Sequence, residues 1–392
     1  MNANVLLLAL SQAMLMTSMS LAITASALVG AQLAPDAGLA TVPQAVMFLT
    51  TMLMMFPASH LMQRMGRRPI FVGGALFGVV GVAIAALGIH TESFLMFTLA
   101  GVLIGIYNAV GQYYRFAAVE AVDPSGHSRA ISLTLAGGVI AAVIGPNIAR
   151  FTRDMLQPPF TASFIALIGT TLLAAFFASR LRLPTVSTVA ASGEARPLAV
   201  IARQPVFLVA VAAAVIGFGA MSLLMTATPL AMHAHHHDFA DTAGVIQWHL
   251  VAMFAPSFFT GDLIRRFGVL NVIAAGCVFM FACIGVNLLG TSVTHFHIAL
   301  ILLGIGWNFL YVGGTALLTQ AYRPAERARV QALNDTLVFS VVAASTLISA
   351  GLLSHFSWEK MNVFVAPVIA VVLGATWWLA WQRTKPVPSP AA

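Results

Sequence analysis

Residues 59–68 read Ser59-His60-Leu61-Met62-Gln63-Arg64-Met65-Gly66-Arg67-Arg68, a short basic connector with a glycine near its end. The run before it, 39–61, and the run after it, 69–89, contain no Asp, Glu, Lys or Arg. Each is long enough to cross a bilayer as a helix, which takes about 20 residues at 1.5 Å of rise per residue. A connector this short and this charged predicts a tight turn at a membrane surface between two spanning helices.

Working outward from that turn, the same alternation of apolar runs and breaks predicts spans at 4–30, 39–61, 69–89, 93–121, 128–150 and 160–180, then 205–232, 241–264, 269–290, 296–321, 328–353 and 358–381. Twelve spans of about 20–25 residues take up roughly 240–300 positions, which a chain of 392 residues accommodates with short loops. With 59% apolar residues, 8% charged and a mean hydropathy of +0.92, the composition excludes an ordinary soluble domain and names the lipid bilayer as the first partner. The segment 4–30 lacks a basic leader and a cleavage site, so it is expected to remain as the first helix. Cys277 and Cys283 share one apolar helix six residues apart, on different faces, which predicts neither a disulfide nor a thiolate metal site.

The net charge of +7 is dispersed among connectors and does not form a nucleic-acid patch. Arg64, Arg67, Arg68, Arg129, Arg180, Arg182, Arg196, Arg203, Arg265, Arg266, Arg323, Arg327, Arg329, Arg383 and Lys385 fall on one side of the predicted topology, against Arg150, Arg153 and Lys360 on the other. Basic loops stay in the cytoplasm, so both termini and the central linker are expected on the cytoplasmic side of the cell inner membrane. The polar stretch 181–203 divides the chain into a first bundle, 1–180, and a second, 204–392 with a short tail. The halves repeat: Asn108, Ala121, Pro124, Arg129 and Leu133 recur 200 residues later as Asn308, Ala321, Pro324, Arg329 and Leu333, and Gly66 has a partner in Gly268. An even number of spans in each half makes the repeat parallel.

At this point the opening connector acquires a resemblance. Leu61, Arg64, Gly66, Arg67 and Arg68 match the loop signature of the major facilitator superfamily, G-x-L-a-D-R-x-G-R-R, with Ser59 at its first glycine and Gln63 at its aspartate. The copy Gly261-Asp262-Leu263-Ile264-Arg265-Arg266-Phe267-Gly268 keeps the glycines and Arg266. The resemblance implies an all-α membrane protein with twelve transmembrane helices in two pseudo-symmetric six-helix bundles, acting by alternating access, with spans 1, 4, 7 and 10 around a central cavity. It also implies a cytoplasmic gate at Gln63, Arg64, Gly66, Arg67 and Arg68, for which Glu120 and Asp335 are the expected acidic partners. Gly145-Pro146-Asn147 resembles the family's exchanger motif only in its Gly-Pro core and reads as a helix kink.

Polar side chains inside apolar helices are costly and face cavities or partner helices. Asn108, Gln112 and Arg115 share one face of the fourth span, with Arg115 about eight residues, or ~12 Å, from its cytoplasmic end. Asn308, Tyr311 and Thr315, beside Trp307, form the equivalent stripe in the tenth. Together with Gln247 these are the expected substrate contacts, Arg115 attracting an anionic or electron-rich group; the competing reading is interhelical packing. Gln12, Ser20 and Thr24, and Ser222, Thr226 and His233, are weaker stripes in the first and seventh spans. His249 is the candidate for proton coupling.

His233, His235, His236 and His237 crowd one outer loop and open a second reading, a metal or metal-chelate transporter. A proton-coupled drug exporter and a non-transporting receptor are compatible with the same spans. The favoured expectation is a monomeric secondary transporter of a small organic solute, anionic or polar-aromatic. No enzyme chemistry and no cofactor are implied.

Overall fold

The computed structural model describes residues 2–123, 127–183 and 196–384, with side chains at 119, 127–132, 135, 136 and 328 left outside the description. Pro124, the Arg129 side chain, Lys385 and most of the expected linker therefore lie outside the described residues. The first half comprises α1 (Ala3–Leu33), α2 (Val42–Met65), α3 (Arg67–His90), α4 (Phe94–Gly111), α5 (Tyr114–Glu120), α6 (His127–Thr152) and α7 (Thr161–Ser179). After a short α8 (Leu198–Ala202), the second half comprises α9 (Pro205–Ala234), α10 (Phe239–Phe254), α11 (Ser257–Phe267), α12 (Val269–Leu289), α13 (Val293–Leu318), α14 (Arg327–His355) and α15 (Trp358–Thr384). Lipid offers the backbone no hydrogen-bond partners, so a chain of this composition satisfies its amides within helices.

Ten described helices are long and apolar enough to cross a membrane. The remaining two of the twelve spans are α6 and the pair α10–α11. Two expected spans are interrupted. Span 241–264 breaks at Ala255-Pro256, where proline has no N–H to continue the ladder. Span 93–121 breaks after Gly111, where the Gln112 N–H turns back to the Asn108 and Val110 carbonyls.

The opening connector is a one-residue turn. Gly66 ends α2 and starts α3 at φ +85°, and Gly268 does the same between α11 and α12 at φ +86°. A Cβ at either would meet no atom within 4 Å. The requirement is therefore conformational, the left-handed φ that glycine adopts without penalty. The repeat read from the sequence thus has a backbone counterpart.

Each half closes around small residues. A Cβ on Gly101 or Gly105 of α4 would sit 2.7 Å from the Pro43 carbonyl or 2.5 Å from the Met47 carbonyl of α2. In the second half, Gly304 of α13 meets the His249 carbonyl of α10 at 2.7 Å by the same measure. Such backbone-to-backbone approach is how helices bind one another when lipid removes the hydrophobic drive between them.

Asn4 and Arg383, near the described ends of the chain, lie on one face of the molecule, each beside the close of its own half. Asn4 exchanges two 2.9 Å hydrogen bonds with the Arg182 backbone at the end of the first half. Arg383 donates to Gln320 Oε1 (2.9 Å) near the end of the second. On the opposite face the two halves touch. Thr41 Oγ1 donates to the Leu347 carbonyl at 3.4 Å, and the turn Ala37–Leu39 packs on α14. Asn147 of α6 donates to Gln247 of α10 at 2.6 Å. Phe160 and Phe239, one from each half, meet edge to face at 5.0 Å, and the Arg153 guanidinium lies over both rings at 5.5 and 5.1 Å.

Candidate functional site

Between the halves lies a cavity of about 190 Å³. Most of its polar lining comes from the first half, including Gln12 and Ser20 from α1, Asn108 from α4, Gln112 just beyond it and Arg115 from α5. Asn108 Nδ2 donates to Thr51 Oγ1 (3.2 Å) and Gln112 Nε2 to Asn108 Oδ1 (3.3 Å), so the amides form a chain anchored on α2. The break after Gly111 leaves Arg115 at the far end of that row. Its guanidinium lies 4.9 Å over the Phe116 ring and interacts electrostatically with Tyr311 of the second half.

The second-half wall is aromatic. Trp307 and Tyr311, one helical turn apart on α13, stack at 5.2 Å with an 11° interplanar angle. Phe218 of α9 stands edge-on to both, at 5.2 and 5.4 Å, and Phe254 and Phe339 complete the shelf. Met16, Met19, Met221, Met225 and Met253 fill the rest. Their unbranched thioethers adapt to irregular apolar shapes and to aromatic edges. Three buried polar atoms around this cavity, two from the first half and one from the second, have no hydrogen-bond partner within the protein: Ser20 Oγ, Arg115 Nε and Trp307 Nε1. Buried polar atoms are nearly always partnered, so three such groups around one cavity mark where a polar cargo has most to offer.

Five of the expected substrate contacts, Asn108, Gln112, Arg115, Trp307 and Tyr311, thus share one cavity; three lie elsewhere. Asn308 is fully buried between helices, donating to the Met253 carbonyl (2.7 Å) and Ser257 Oγ (2.6 Å) and accepting from Thr260 Oγ1 (2.7 Å). Thr315 is exposed, its hydroxyl turned back to the Tyr311 carbonyl. Gln247 is taken up by Asn147 on the face where the halves touch. His249 is buried against α13, with Nδ1 2.7 Å from the Leu300 carbonyl and no partner for Nε2.

Of the expected gate, Arg67 pairs with Glu120 inside the first half, so this contact joins α3 to α5 and not one half to the other. Gln63, Arg64 and Arg68 are exposed. Asp335 interacts with Arg115 and not with the connector arginines alongside which it was expected. In the histidine loop His237 contacts the Thr291 carbonyl at 2.7 Å, while His233, His235 and His236 are exposed. Among the described residues no three His, Cys, Asp or Glu side chains converge as a metal site.

Phe218, Phe254, Phe339 and the methionines were not singled out from sequence. In a chain that is 59% apolar they carry no signal until the cavity they face is known.

Two six-helix bundles clasping a mixed polar and aromatic cavity define a multi-pass membrane transporter of small molecules. The chain belongs to the Major Facilitator Superfamily, whose sequence model matches residues 8–295. It is 40% identical over 373 residues to the riboflavin transporter RfnT of Brucella anthropi, with 94% of each chain covered. It is 28% identical to the uncharacterized MFS-type transporter YddS of Bacillus subtilis, covering 91% of this chain and 86% of that one. Among solved structures, a mutant of the nucleoside transporter NupG superposes with a TM-score of 0.77 at 12% identity, over 96% of this chain and 100% of that one, a likeness of fold alone. Family and relatives alike are transporters, not enzymes.

Proposed function

We propose that this protein carries riboflavin, or a closely related flavin, across the cytoplasmic membrane by alternating access. One observation supports the cargo most directly: the Trp307–Tyr311 stack and the unpartnered Trp307 Nε1, Arg115 Nε and Ser20 Oγ line the same cavity. A flavin is a flat tricyclic heteroaromatic with donors and acceptors along one edge and a polyol chain. It asks for an aromatic shelf on one side and a row of amides, hydroxyls and a cation on the other. The named activity of the Brucella anthropi relative agrees with that chemistry.

In this reading 1–180 and 204–392 are the two moving bodies, joined by 181–203. The basic face carrying both termini is cytoplasmic. The halves touch on the opposite face, as an inward-facing form requires.

The test is uptake of radiolabelled riboflavin by proteoliposomes containing the full chain, with competition by other organic solutes. Uptake that unlabelled flavins suppress supports the reading. Uptake of a different solute with no flavin uptake overturns it. Trp307→Ala is expected to weaken flavin binding by roughly 1–3 kcal/mol, the worth of a stacked nucleobase, or about 5- to 150-fold in affinity.

A further inference from the structure

Arg115 is the one formally charged side chain in the described cavity wall. Alone in a membrane interior, a guanidinium favours an anionic cargo. Riboflavin carries no formal charge near neutral pH, whereas its phosphate ester is an anion. A site for the uncharged form therefore needs something to answer Arg115.

The second half supplies it. Asp335 lies on α14 four residues before the cavity-lining Phe339, hence on the same helix face and about 6 Å nearer the face that carries the termini. It interacts electrostatically with Arg115 and with the hydroxyls of Tyr113 and Tyr311. Asn334 Nδ2 donates to its Oδ1 at 3.1 Å. Arg115 and Asp335 do not close into an ion pair within 4.0 Å; the ion pairs among the described residues are Arg67–Glu120, Arg153–Asp154, Arg196–Glu326 and Arg265–Asp262. The two charges come one from each half and interact electrostatically with each other and with Tyr311.

We propose that Asp335 sets the charge preference of the cargo: by compensating Arg115 from the opposite half, one helical turn from the cavity-lining Phe339, it makes the site accept uncharged flavins and discriminate against their phosphate esters. This rests on the flavin reading above and adds a specificity residue to it. The carboxylate acts in two ways. It cancels the field that would draw a phosphate toward Arg115, and it repels a phosphate brought close to that arginine.

The experiment compares labelled riboflavin uptake by proteoliposomes in competition with unlabelled riboflavin and riboflavin 5′-phosphate. For the natural chain, the phosphate is expected to compete at least tenfold more weakly. Asp335→Asn should narrow that ratio about tenfold, Asp335→Glu should preserve it, and Arg115→Gln/Asp335→Asn should lose the narrowing. Asp335→Ser serves as a second uncharged variant should the asparagine form fold poorly. Equal competition by the phosphate in the natural chain overturns the proposal without any variant. So does an unchanged ratio in folded Asp335→Asn or Asp335→Ser that still takes up riboflavin. An absence of flavin uptake by the natural chain, with another solute transported, overturns the cargo reading and this proposal with it.

Discussion

Glu326, 1% exposed, accepts four hydrogen bonds: from the backbone N–H groups of Arg196 and Arg323, and from Arg196 Nε and Nη2 at 2.7 Å each. The bidentate Arg196 guanidinium is the main reason its carboxyl is held well below the usual carboxylate range, with the two backbone donors adding to it. The same contact raises the Arg196 pKa. A carboxyl whose folded pKa is depressed contributes stability that is present above its ordinary value of 4.5 and is lost as pH falls through the folded value. Glu326→Gln should therefore lower the thermal midpoint in detergent at neutral pH, and the gap from the natural chain should shrink as pH falls below about 4.5. A gap constant from pH 7 to pH 3 would contradict this origin. From sequence Arg196 was one basic residue among fifteen on its side of the membrane. Its partner is 130 positions away, which no local pattern reveals.

At the scale of the helices, the repeat was legible but its division of labour was not. Asn108 and Asn308 occupy equivalent positions, and both reach the helix beside them, Thr51 on α2 and Thr260 on α11. Asn108 also faces the cavity and holds Gln112. Around Asn308 the break at Pro256 brings Ser257 and Thr260 close enough to occupy the amide. Helical phase assigns the same face to both asparagines; only the packing of a neighbouring broken helix separates them. Asn308→Ala should accordingly cost stability, about 1–3 kcal/mol for leaving buried partners unsatisfied, with the apparent affinity for flavin little changed. A large loss of affinity at unchanged thermal stability would return Asn308 to the site. Arg115, Trp307 and Tyr311 were readable for a simpler reason, being polar or amphipathic groups in otherwise apolar helices, where each needs a justification.

For the molecule as a whole, the count of spans, the pairing of halves and the glycine turns at Gly66 and Gly268 followed from hydropathy, charge and repeat. The conformation did not, because both ends of a rocking motion are compatible with one hydropathy pattern. Alternating access requires the face opposite the termini to part. There a Cβ on Gly38 would lie 3.7 Å from the Gly351 Cα, within the reach of a disulfide. The natural thiols, Cys277 and Cys283, are free and buried. Gly38→Cys/Gly351→Cys should lose most flavin uptake on oxidation and regain it with reductant, whereas full uptake by the cross-linked protein would show that this face need not open.

The seal on that face includes a pair of rings: Phe160 is fully buried and Phe239 nearly so, each under the Arg153 guanidinium. Opening hydrates these aromatic surfaces, and hydration of apolar surface carries a positive heat-capacity change. The balance between closed and open forms is therefore a curved function of temperature. Apolar burial loses strength on cooling, so the seal that holds this face shut is also the contact that slackens in the cold.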